Sequence, residues 1–271
     1  PIALCEVQGY VYSAKLHLSR LAEALGEVPI AATLRGEAGE LRERFDRDFW
    51  VPKLKTYALA LDGRKKPCRV LASNSGHLLY SGIVKPERAR ACATTLMSES
   101  LFSGWGIRTL GTDEKRYNPI SYHNGSVWPH DSTIAAIGLS KYGFPNAVER
   151  IFQGLFRASV FMEHTRMPEV FCGFPRGSEP PTLYPVACAP QSWAAASVFG
   201  LLRALLGIEV DAMEKKVRCV RPRLPECIHE LRIDGLGVGP DRIDLGIIRH
   251  REDVSIRLLD RRGDLTLAVE K

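Results

Sequence analysis

The sequence lacks the features that define several common functional classes. Its longest apolar runs are interrupted by Gly, Ser or Arg, and none reaches the roughly 18–20 residues that a membrane-spanning helix needs. It contains no Gly-x-x-x-x-Gly-Lys motif and no Gly-x-Gly-x-x-Gly motif after a predicted strand. No secretory signal is visible. These absences argue against a membrane protein and against a nucleotide-binding enzyme.

Cysteine is present, but its spacing predicts neither a metal site nor a disulfide framework. The 7 cysteines include no Cys-x-x-Cys pair, so the spacing typical of a zinc site is absent. An odd number of scattered thiols is typical of reduced, mostly buried cysteines in a cytosolic protein. We therefore expect a cytoplasmic protein that uses no metal and no cofactor.

Positive charge is in excess but is not concentrated. The net charge is +6 and the pI is near 9.0. Lys and Arg nevertheless alternate with Asp and Glu, as in residues 40–48, which is typical of a solvated helix face. A compact basic tract is absent, apart from short runs such as Arg64-Lys-Lys66. Because a nucleic-acid partner requires a concentrated basic surface, we expect none.

Hydrophobic spacing predicts a helical body. Apolar residues recur at intervals of three and four, and prolines stand where first helical turns are expected. The predicted helices cover residues 3–25, 36–50 and 86–98 and begin near Pro129, Pro145 and Pro190. Residues 55–72 are predicted to be extended. The helix after Pro190 is apolar nearly all round, so we expect it to be buried on most sides.

The pattern changes near residue 212. Short runs rich in Ile, Val and Leu, separated by turn residues, predict a meander of antiparallel strands. These runs cover residues 228–233, 242–248, 254–259 and 265–269. We therefore divide the chain into a helical domain, residues 1–212, and a β-strand region, residues 213–271. Because the chain begins at Pro1 without an initiator Met, we also expect it to be a segment of a longer protein.

Three segments combine aromatic rings with amide, imidazole and carboxylate groups. They are residues 122–131, 168–174 and 190–193, and each lies just before or between predicted helices. A sugar ring requires a flat apolar surface for stacking and many hydrogen-bonding groups for its hydroxyls. The composition of these segments therefore predicts a carbohydrate-binding site.

Taken together, six segments resemble the bacterial glycogen-debranching, amylo-α-1,6-glucosidase-like family. They are residues 1–10, 73–77, 101–110, 117–131, 169–173 and 190–193. The family's catalytic domain is an (α/α)6 toroid related in fold to glucoamylases and to glycoside hydrolase family 63. The resemblance spans most of residues 1–212 and implies a mainly α fold. It implies an inverting hydrolase that acts on α-glucans or oligosaccharides, with no cofactor.

The predicted helices are too few for a complete toroid. The resemblance therefore implies the C-terminal half of a six-hairpin glycosidase toroid, followed by a small antiparallel β tail. Such a half would expose an apolar face, which we expect an N-terminal half or another copy of the chain to cover. The alternative is a truncated, non-catalytic module that binds carbohydrate or self-associates.

Glu169 is the candidate general base, because the resemblance implies a catalytic Glu shortly before a helix like 191–194. A structural loop carboxylate is the alternative. Candidates for substrate binding are Glu6, Gln8, Trp105, Arg108, Tyr122, His123, Asn124, Trp128, His130, Asp131, Gln191 and Trp193. Structural roles remain open for these residues, above all helix-dipole stabilisation for Asp131 and core packing for Trp128. The resemblance implies that the general acid lies outside this chain.

Overall fold

The computed structural model describes residues 2–251 and 253–271. Its helices are α1 (Cys5–Ala24), α2 (Val28–Phe49), α3 (Asn74–Ser81), α4 (Pro86–Leu96), α5 (Pro129–Lys141), α6 (Pro145–Ser159) and α7 (Ser192–Leu206). Five two-residue strands accompany them: β1 (Ala3–Leu4), β2 (Trp50–Val51), β3 (Thr56–Tyr57), β4 (Ala60–Leu61) and β5 (Pro67–Cys68). The longer strands are β6 (Ile208–Asp211), β7 (Lys216–Val220), β8 (Glu230–Val238), β9 (Asp241–Arg249), β10 (Val254–Arg262) and β11 (Thr266–Glu270).

The chain forms two compact units, of which the first ends at Val198 and the second begins at Phe199. In the first unit, α1 packs against α2 and α3, and α5 packs against α3 and α6. Helix α3 is therefore central to this unit, although its sequence was not predicted to be helical. No helix in residues 2–251 and 253–271 is both long and apolar enough to cross a membrane.

Glycine allows α1, α3 and α5 to approach each other closely. A Cβ atom on Gly9 of α1 would lie 2.6 Å from a side-chain oxygen of α3. A Cβ atom on Gly138 of α5 would lie 2.5 Å from the backbone nitrogen of Tyr80 in α3. Gly76 of α3 meets Ala135 of α5 in the same way, at 2.6 Å. Larger side chains at these positions would separate the helices that carry the candidate site.

Two helices differ from their predicted extents or environments. Helix α2 begins at Val28, earlier than predicted, because Pro29 is accommodated in its first turn. Helix α7 was predicted to be buried on most sides, and this prediction is wrong. Its Trp193 and Phe199 side chains are exposed, because nothing in the described chain covers that face.

The second unit contains two three-stranded sheets. Strands β8, β9 and β10 form the predicted antiparallel meander. Strand β7 lies between β6 and β11, and β11 pairs with it in parallel. The prediction that all strands run antiparallel is therefore wrong for β11. The sheet residues bury apolar clusters that include Ile247 with Val254, and Val217 with Leu245.

Candidate active site

A short strand-like pairing brings two of the predicted motifs together. Val127 and Phe171 exchange backbone hydrogen bonds of 2.9 and 3.0 Å in an antiparallel bridge. Counting two residues outward from this bridge places Glu169 opposite Pro129, the first residue of α5. The candidate base therefore lies beside the N-terminus of the helix that carries His130 and Asp131.

Glu169 is buried and is held through its own backbone and side chain. Its backbone nitrogen donates to the Cys188 carbonyl at 2.9 Å, and its Oε2 accepts from the Cys188 nitrogen at 3.4 Å. Burial and the adjacent Glu169 carboxylate raise the pKa of the Tyr122 phenol. The Glu169 carboxylate thus faces an aromatic ring on one side and a backbone turn on the other.

Asp131 forms a buried pair with His77 of α3. The Nε2 atom of His77 lies 2.7 Å from Asp131 Oδ1, and its Nδ1 atom lies 2.5 Å from the Tyr10 hydroxyl of α1. Burial alone would raise the pKa of Asp131, but the interactions with His77 outweigh it and hold the pKa below its ordinary value. Burial likewise lowers the pKa of His77, yet Asp131 reverses this and raises it.

The second oxygen of this carboxylate is available to a ligand. Asp131 Oδ2 is buried and has no hydrogen-bond partner within the described residues, although the nearby Ser73 hydroxyl helps to lower the carboxyl pKa. Asp131 also lies in the first turn of α5, where a negative charge is favoured by the helix dipole. A buried anionic acceptor that lacks a donor is costly unless a bound hydroxyl or water supplies one.

His130 links the two carboxylates. Burial lowers the pKa of its imidazole, while the charges of Asp131 and Glu169 both act to raise it. This imidazole is therefore within electrostatic reach of both acids. Its Nδ1 atom is buried and, like Asp131 Oδ2, has no hydrogen-bond partner in the described part of the chain. Adjacent residues thus present two unsatisfied polar atoms at the start of α5.

Glu6 extends the polar side of the site onto α1. Its Oε2 accepts a hydrogen bond of 2.9 Å from Asn74 Nδ2, and its charge contributes to the raised pKa of His77. Burial and then Glu6 raise the pKa of Tyr10 to about 12. Gln8 instead donates to the Leu4 carbonyl within its own helix. Glu6 therefore joins the cluster, whereas the amide of Gln8 is engaged locally.

Aromatic rings surround His130. Its imidazole stacks on Trp193 with centroids 4.5 Å apart, and Trp128 lies edge-on at 5.7 Å. Tyr122 packs against Trp128 at 4.7 Å, and His123 lies parallel to Trp128 at 6.0 Å. We call Tyr122, His123, Trp128, His130 and Trp193 the ring cluster.

The two tryptophans of the ring cluster differ in exposure. Trp128 is 7% exposed, and its indole nitrogen donates to the Tyr122 carbonyl and to the Ser126 hydroxyl, each at 3.1 Å. Trp193 is 48% exposed. Trp128 therefore serves as the packed base of the ring cluster, and Trp193 presents the ring face that is open to a ligand.

Two predicted binding residues lie outside this cluster. Arg108 is 2% exposed, and its guanidinium donates to the carbonyls of Gly173 at 2.6 Å and Glu99 at 2.9 Å. These contacts hold the loop after Glu169, so the expected role as a sugar-hydroxyl donor receives no support. Trp105 is buried and packs edge-on against Phe161 at 6.3 Å.

Gln191 and Asn124 also take local positions. Gln191 Oε1 accepts from the Ser192 nitrogen at the start of α7, at 3.0 Å, which is a contact within its own turn rather than with Glu169. The carbonyl of Asn124 accepts from the Asn118 nitrogen at 2.8 Å, and its side chain is exposed. Neither side chain makes a hydrogen bond to either candidate carboxylate.

Sequence reasoning assigned no role to Tyr10, Asn74, His77 or Tyr184. Tyr184 extends the ring cluster, 5.4 Å from Tyr122. Asn74 and His77 lie in the segment 73–77, which carried part of the family resemblance and was the available signal. Across residues 2–251 and 253–271, no group of three or more His, Cys, Asp or Glu side chains is arranged to hold a metal ion.

The sequence matches a known glycoside hydrolase domain over most of the first unit. Residues 2–170 match the mannosylglycerate hydrolase MGH1-like glycoside hydrolase domain. The mannosylglycerate hydrolase of Rubrobacter radiotolerans is 29% identical over 149 residues, which is 53% of this chain and 33% of that protein. The resemblance is therefore supported at the coarser level of a six-hairpin glycosidase family.

Solved structures show the same fold. The glycoside hydrolase family 63 mannosylglycerate hydrolase of Thermus thermophilus superposes with a TM-score of 0.55 at 18% identity, over 74% of this chain and 45% of that chain. A chain described as a sialidase superposes with a TM-score of 0.70 at 14% identity, over 95% of this chain and 25% of that chain. The chain thus spans less than half the length of the proteins that it matches.

Proposed function

Because the chain belongs to the MGH1-like glycoside hydrolase domain family, we propose that it carries the general-base half of an inverting glycosidase active site. Glu169 is the base in this proposal, and it activates the water that attacks the anomeric carbon. The observation that carries the proposal is the approach of buried Glu169 to His130 at the start of α5, beside the open ring of Trp193. Inversion requires a second carboxyl group that protonates the leaving oxygen.

Asp131 is suited to hold a sugar hydroxyl rather than to act as this acid. A general acid must hold its proton near neutral pH, and the pKa of Asp131 is shifted in the opposite direction. An ionised carboxylate with one unsatisfied oxygen is instead a strong acceptor for a hydroxyl donor. In this proposal Asp131 and Glu6 orient the sugar, and the ring of Trp193 stacks on it.

The general acid belongs, in this proposal, to a second half of the toroid that is not among the residues of this chain. Apolar side chains on α1 support such a partner, because Val7, Val11, Leu18 and Leu21 are each more than 40% exposed. Contiguous exposed apolar surface marks an interaction site. No observation favours the alternative of a purely non-catalytic binding module.

We propose a small glycoside as substrate, with a hexose linked to a compact acceptor of the mannosylglycerate type. The names of the curated relative and of the Thermus structure support this choice. The α-glucan substrate expected from the debranching resemblance has no corresponding support. Pocket changes can alter specificity while the fold stays the same, so the substrate must be tested directly.

The test compares the parent chain with its Glu169→Gln variant on mannosylglycerate, isomaltose and branched dextrin. Sugar release is followed together with the anomeric configuration of the first product. From this chain alone we expect binding without release. In the longest protein that contains the chain, where the proposed acid is supplied, we expect release from mannosylglycerate with inversion and a loss of about 10²–10⁴-fold in the variant, since a general base contributes that much. Gln is isosteric with Glu, so circular dichroism should show an unchanged fold.

Retained turnover in Glu169→Gln would exclude Glu169 as the base. Preferred release from branched dextrin would restore the debranching interpretation. If the parent binds mannosylglycerate in calorimetry but releases nothing, the acid is absent from this chain. The measurement is then repeated on the longest protein that contains the chain.

A further inference from the structure

One cavity, lined by none of the ring-cluster residues, is rich in arginine. Its volume is about 370 Å³, and Arg108, Arg150 and Arg176 line it together with Glu99 and Gln153. Arg150 and Gln153 lie on α6, and Arg176 lies in the segment that follows Glu169. We call this cavity, with Arg108, Arg150 and Arg176 in its wall, the arginine cavity.

The positive charges of the arginine cavity are not neutralised within the described residues. Arg108, Arg150 and Arg176 form no ion pair with any carboxylate of residues 2–251 and 253–271, Glu99 included. Elsewhere the chain does form such pairs, for example between Lys85 and Glu43 at 2.7 Å. Three guanidinium groups against the single carboxylate of Glu99 leave a net positive charge around the cavity, which favours a bound anion.

Aromatic rings and glycine hold the guanidinium groups in place. Arg150 lies over the ring of Phe102 at 4.9 Å, and Arg176 lies over the ring of Trp105 at 5.8 Å. Gly104 has a φ of +90°, and a Cβ atom there would lie 2.8 Å from Arg176 Cβ. Arg176 Nη1 also donates to the Gly104 carbonyl at 3.3 Å. A stacked guanidinium keeps its remaining in-plane N–H donors for a ligand, so little conformational freedom is lost on binding.

Arg108 supplies the buried part of the arginine cavity. Its guanidinium is 2% exposed and is bound to backbone carbonyls, which are neutral acceptors. Burial lowers the pKa of Arg108, as expected for a charge removed from water without a counter-ion. A cationic group in this position gains more from an anion than an exposed arginine does.

We propose that the arginine cavity binds a small oxyanion, a phosphate group that is either free or carried by a sugar. Planar guanidinium groups suit such a ligand because they can donate two parallel hydrogen bonds to its oxygens. The segment from Glu169 to Arg176 connects this site to the candidate base, so a bound oxyanion orders that segment. The proposal does not depend on glycoside hydrolysis.

The experiment titrates the full chain with inorganic phosphate and, separately, with glucose 6-phosphate by isothermal calorimetry. Ionic strength is held constant with sodium chloride, because general screening must not vary. We expect saturable binding in the parent, weakened about tenfold in Arg150→Gln and again in Arg176→Gln, since each charge-assisted hydrogen bond lost is worth roughly that factor. Arg157→Gln, an exposed arginine on α6 that does not line the cavity, should bind as the parent does.

Binding of both probes identifies free phosphate as sufficient, and binding of glucose 6-phosphate alone identifies a sugar phosphate. Absence of binding for both probes, or equal affinity in the Arg150→Gln/Arg176→Gln double variant, would overturn the proposal. Hydrogen exchange of residues 169–176 gives a second readout. Saturating phosphate should slow exchange there in the parent and leave it unchanged in the double variant.

Discussion

His77 and Asp131 form a buried hydrogen bond of 2.7 Å that joins α3 to α5. The pairing requires close packing of the two helices, which Gly76 and Gly138 permit. It holds one oxygen of Asp131 and leaves the other without a protein donor. The same contact therefore supports the fold and prepares an anionic acceptor for a ligand.

The charge on His77 makes the stability of this pair depend on pH. The pKa of His77 is raised above its ordinary 6.5, so its contribution is complete below about 6.5 and is lost as the pH rises through the folded-state value. The pKa of Asp131 is lowered from 3.8, so its contribution is lost only as the pH falls through that lowered value. The pair is therefore fully effective between about pH 4 and 6.5.

The variant His77→Gln keeps a donor for Asp131 but removes the charge. We expect it to lower the free energy of unfolding by about 1–2 kcal/mol near pH 5.5, the difference between a charged and a neutral hydrogen bond. The difference should shrink as the pH rises through the raised pKa of the parent imidazole, where it loses its proton. Urea unfolding at several pH values measures it. The control is His17→Gln, which removes an exposed imidazole that is hydrogen-bonded within its own helix. If the stability difference between the parent and His77→Gln does not change with pH, a charged His77 does not stabilise the pair with Asp131.

Truncation of Trp193 should mainly weaken sugar binding, whereas truncation of Trp128 should mainly lower stability. Trp193→Ala removes an exposed ring that stacks on His130, so we expect sugar affinity to fall about tenfold with little loss of stability. Trp128→Ala removes a buried ring and should cost about 3–5 kcal/mol of stability. Calorimetric titration with mannosylglycerate and thermal unfolding separate the two effects.

Phe199→Ala is the matched control, because Phe199 is an exposed aromatic residue on the same helix but outside the ring cluster. Its sugar affinity should equal that of the parent. If Phe199→Ala weakens binding as much as Trp193→Ala does, the open ring of Trp193 is not the stacking surface.

One-sided burial makes a helix predictable from its hydrophobic spacing. Helix α6 buries Ile151 and Leu155 on one stripe, so local spacing was enough, and its predicted start at Pro145 is confirmed. Helix α3 has only 8 residues, and Gly76 and Leu78, which are two positions apart and therefore lie on opposite sides of the helix, are both buried. Such a helix shows no periodic pattern, and it becomes apparent only when α1 and α5 are packed against it.

The candidate site also has one part that local sequence predicts and another part that it does not. The aromatic and polar composition around Trp128 predicted that a cluster exists, because composition is a local property. The contact between His77 and Asp131 joins residues 54 positions apart and depends on helix packing that no spacing rule contains. The approach of Glu169 to Pro129 likewise follows from the bridge between Val127 and Phe171.

Arg108 should stabilise the fold by holding the loop that follows Glu169. The variant Arg108→Lys keeps the charge but loses the fork that reaches the carbonyls of Gly173 and Glu99. We expect stability to fall by about 1–2 kcal/mol, because the buried Gly173 carbonyl loses its hydrogen bond from Arg108 and keeps only the one from the Tyr117 hydroxyl at 3.2 Å. Amide exchange at residues 169–173 should also become faster. Arg157→Lys, on the exposed face of α6, should change neither quantity, and an equal effect in both variants would contradict the structural role.

Adding one methyl group at two helical glycines should change stability in opposite directions. In Gly138→Ala the new Cβ would lie 2.5 Å from the Tyr80 nitrogen and 2.8 Å from the Leu79 carbonyl carbon, which are backbone atoms that cannot rotate away. We expect α3 and α5 to separate and the free energy of unfolding to fall by about 1–3 kcal/mol. Gly36 of α2 has no neighbour within 4 Å of the corresponding position, so Gly36→Ala should raise stability by about 1 kcal/mol through helix propensity.

Because the His77 to Asp131 contact spans the same helix pair, Gly138→Ala should also remove the pH-dependent part of stability, whereas Gly36→Ala should retain it. A stable Gly138→Ala variant with the parent's pH profile would show that close packing of α3 and α5 is not required for the site.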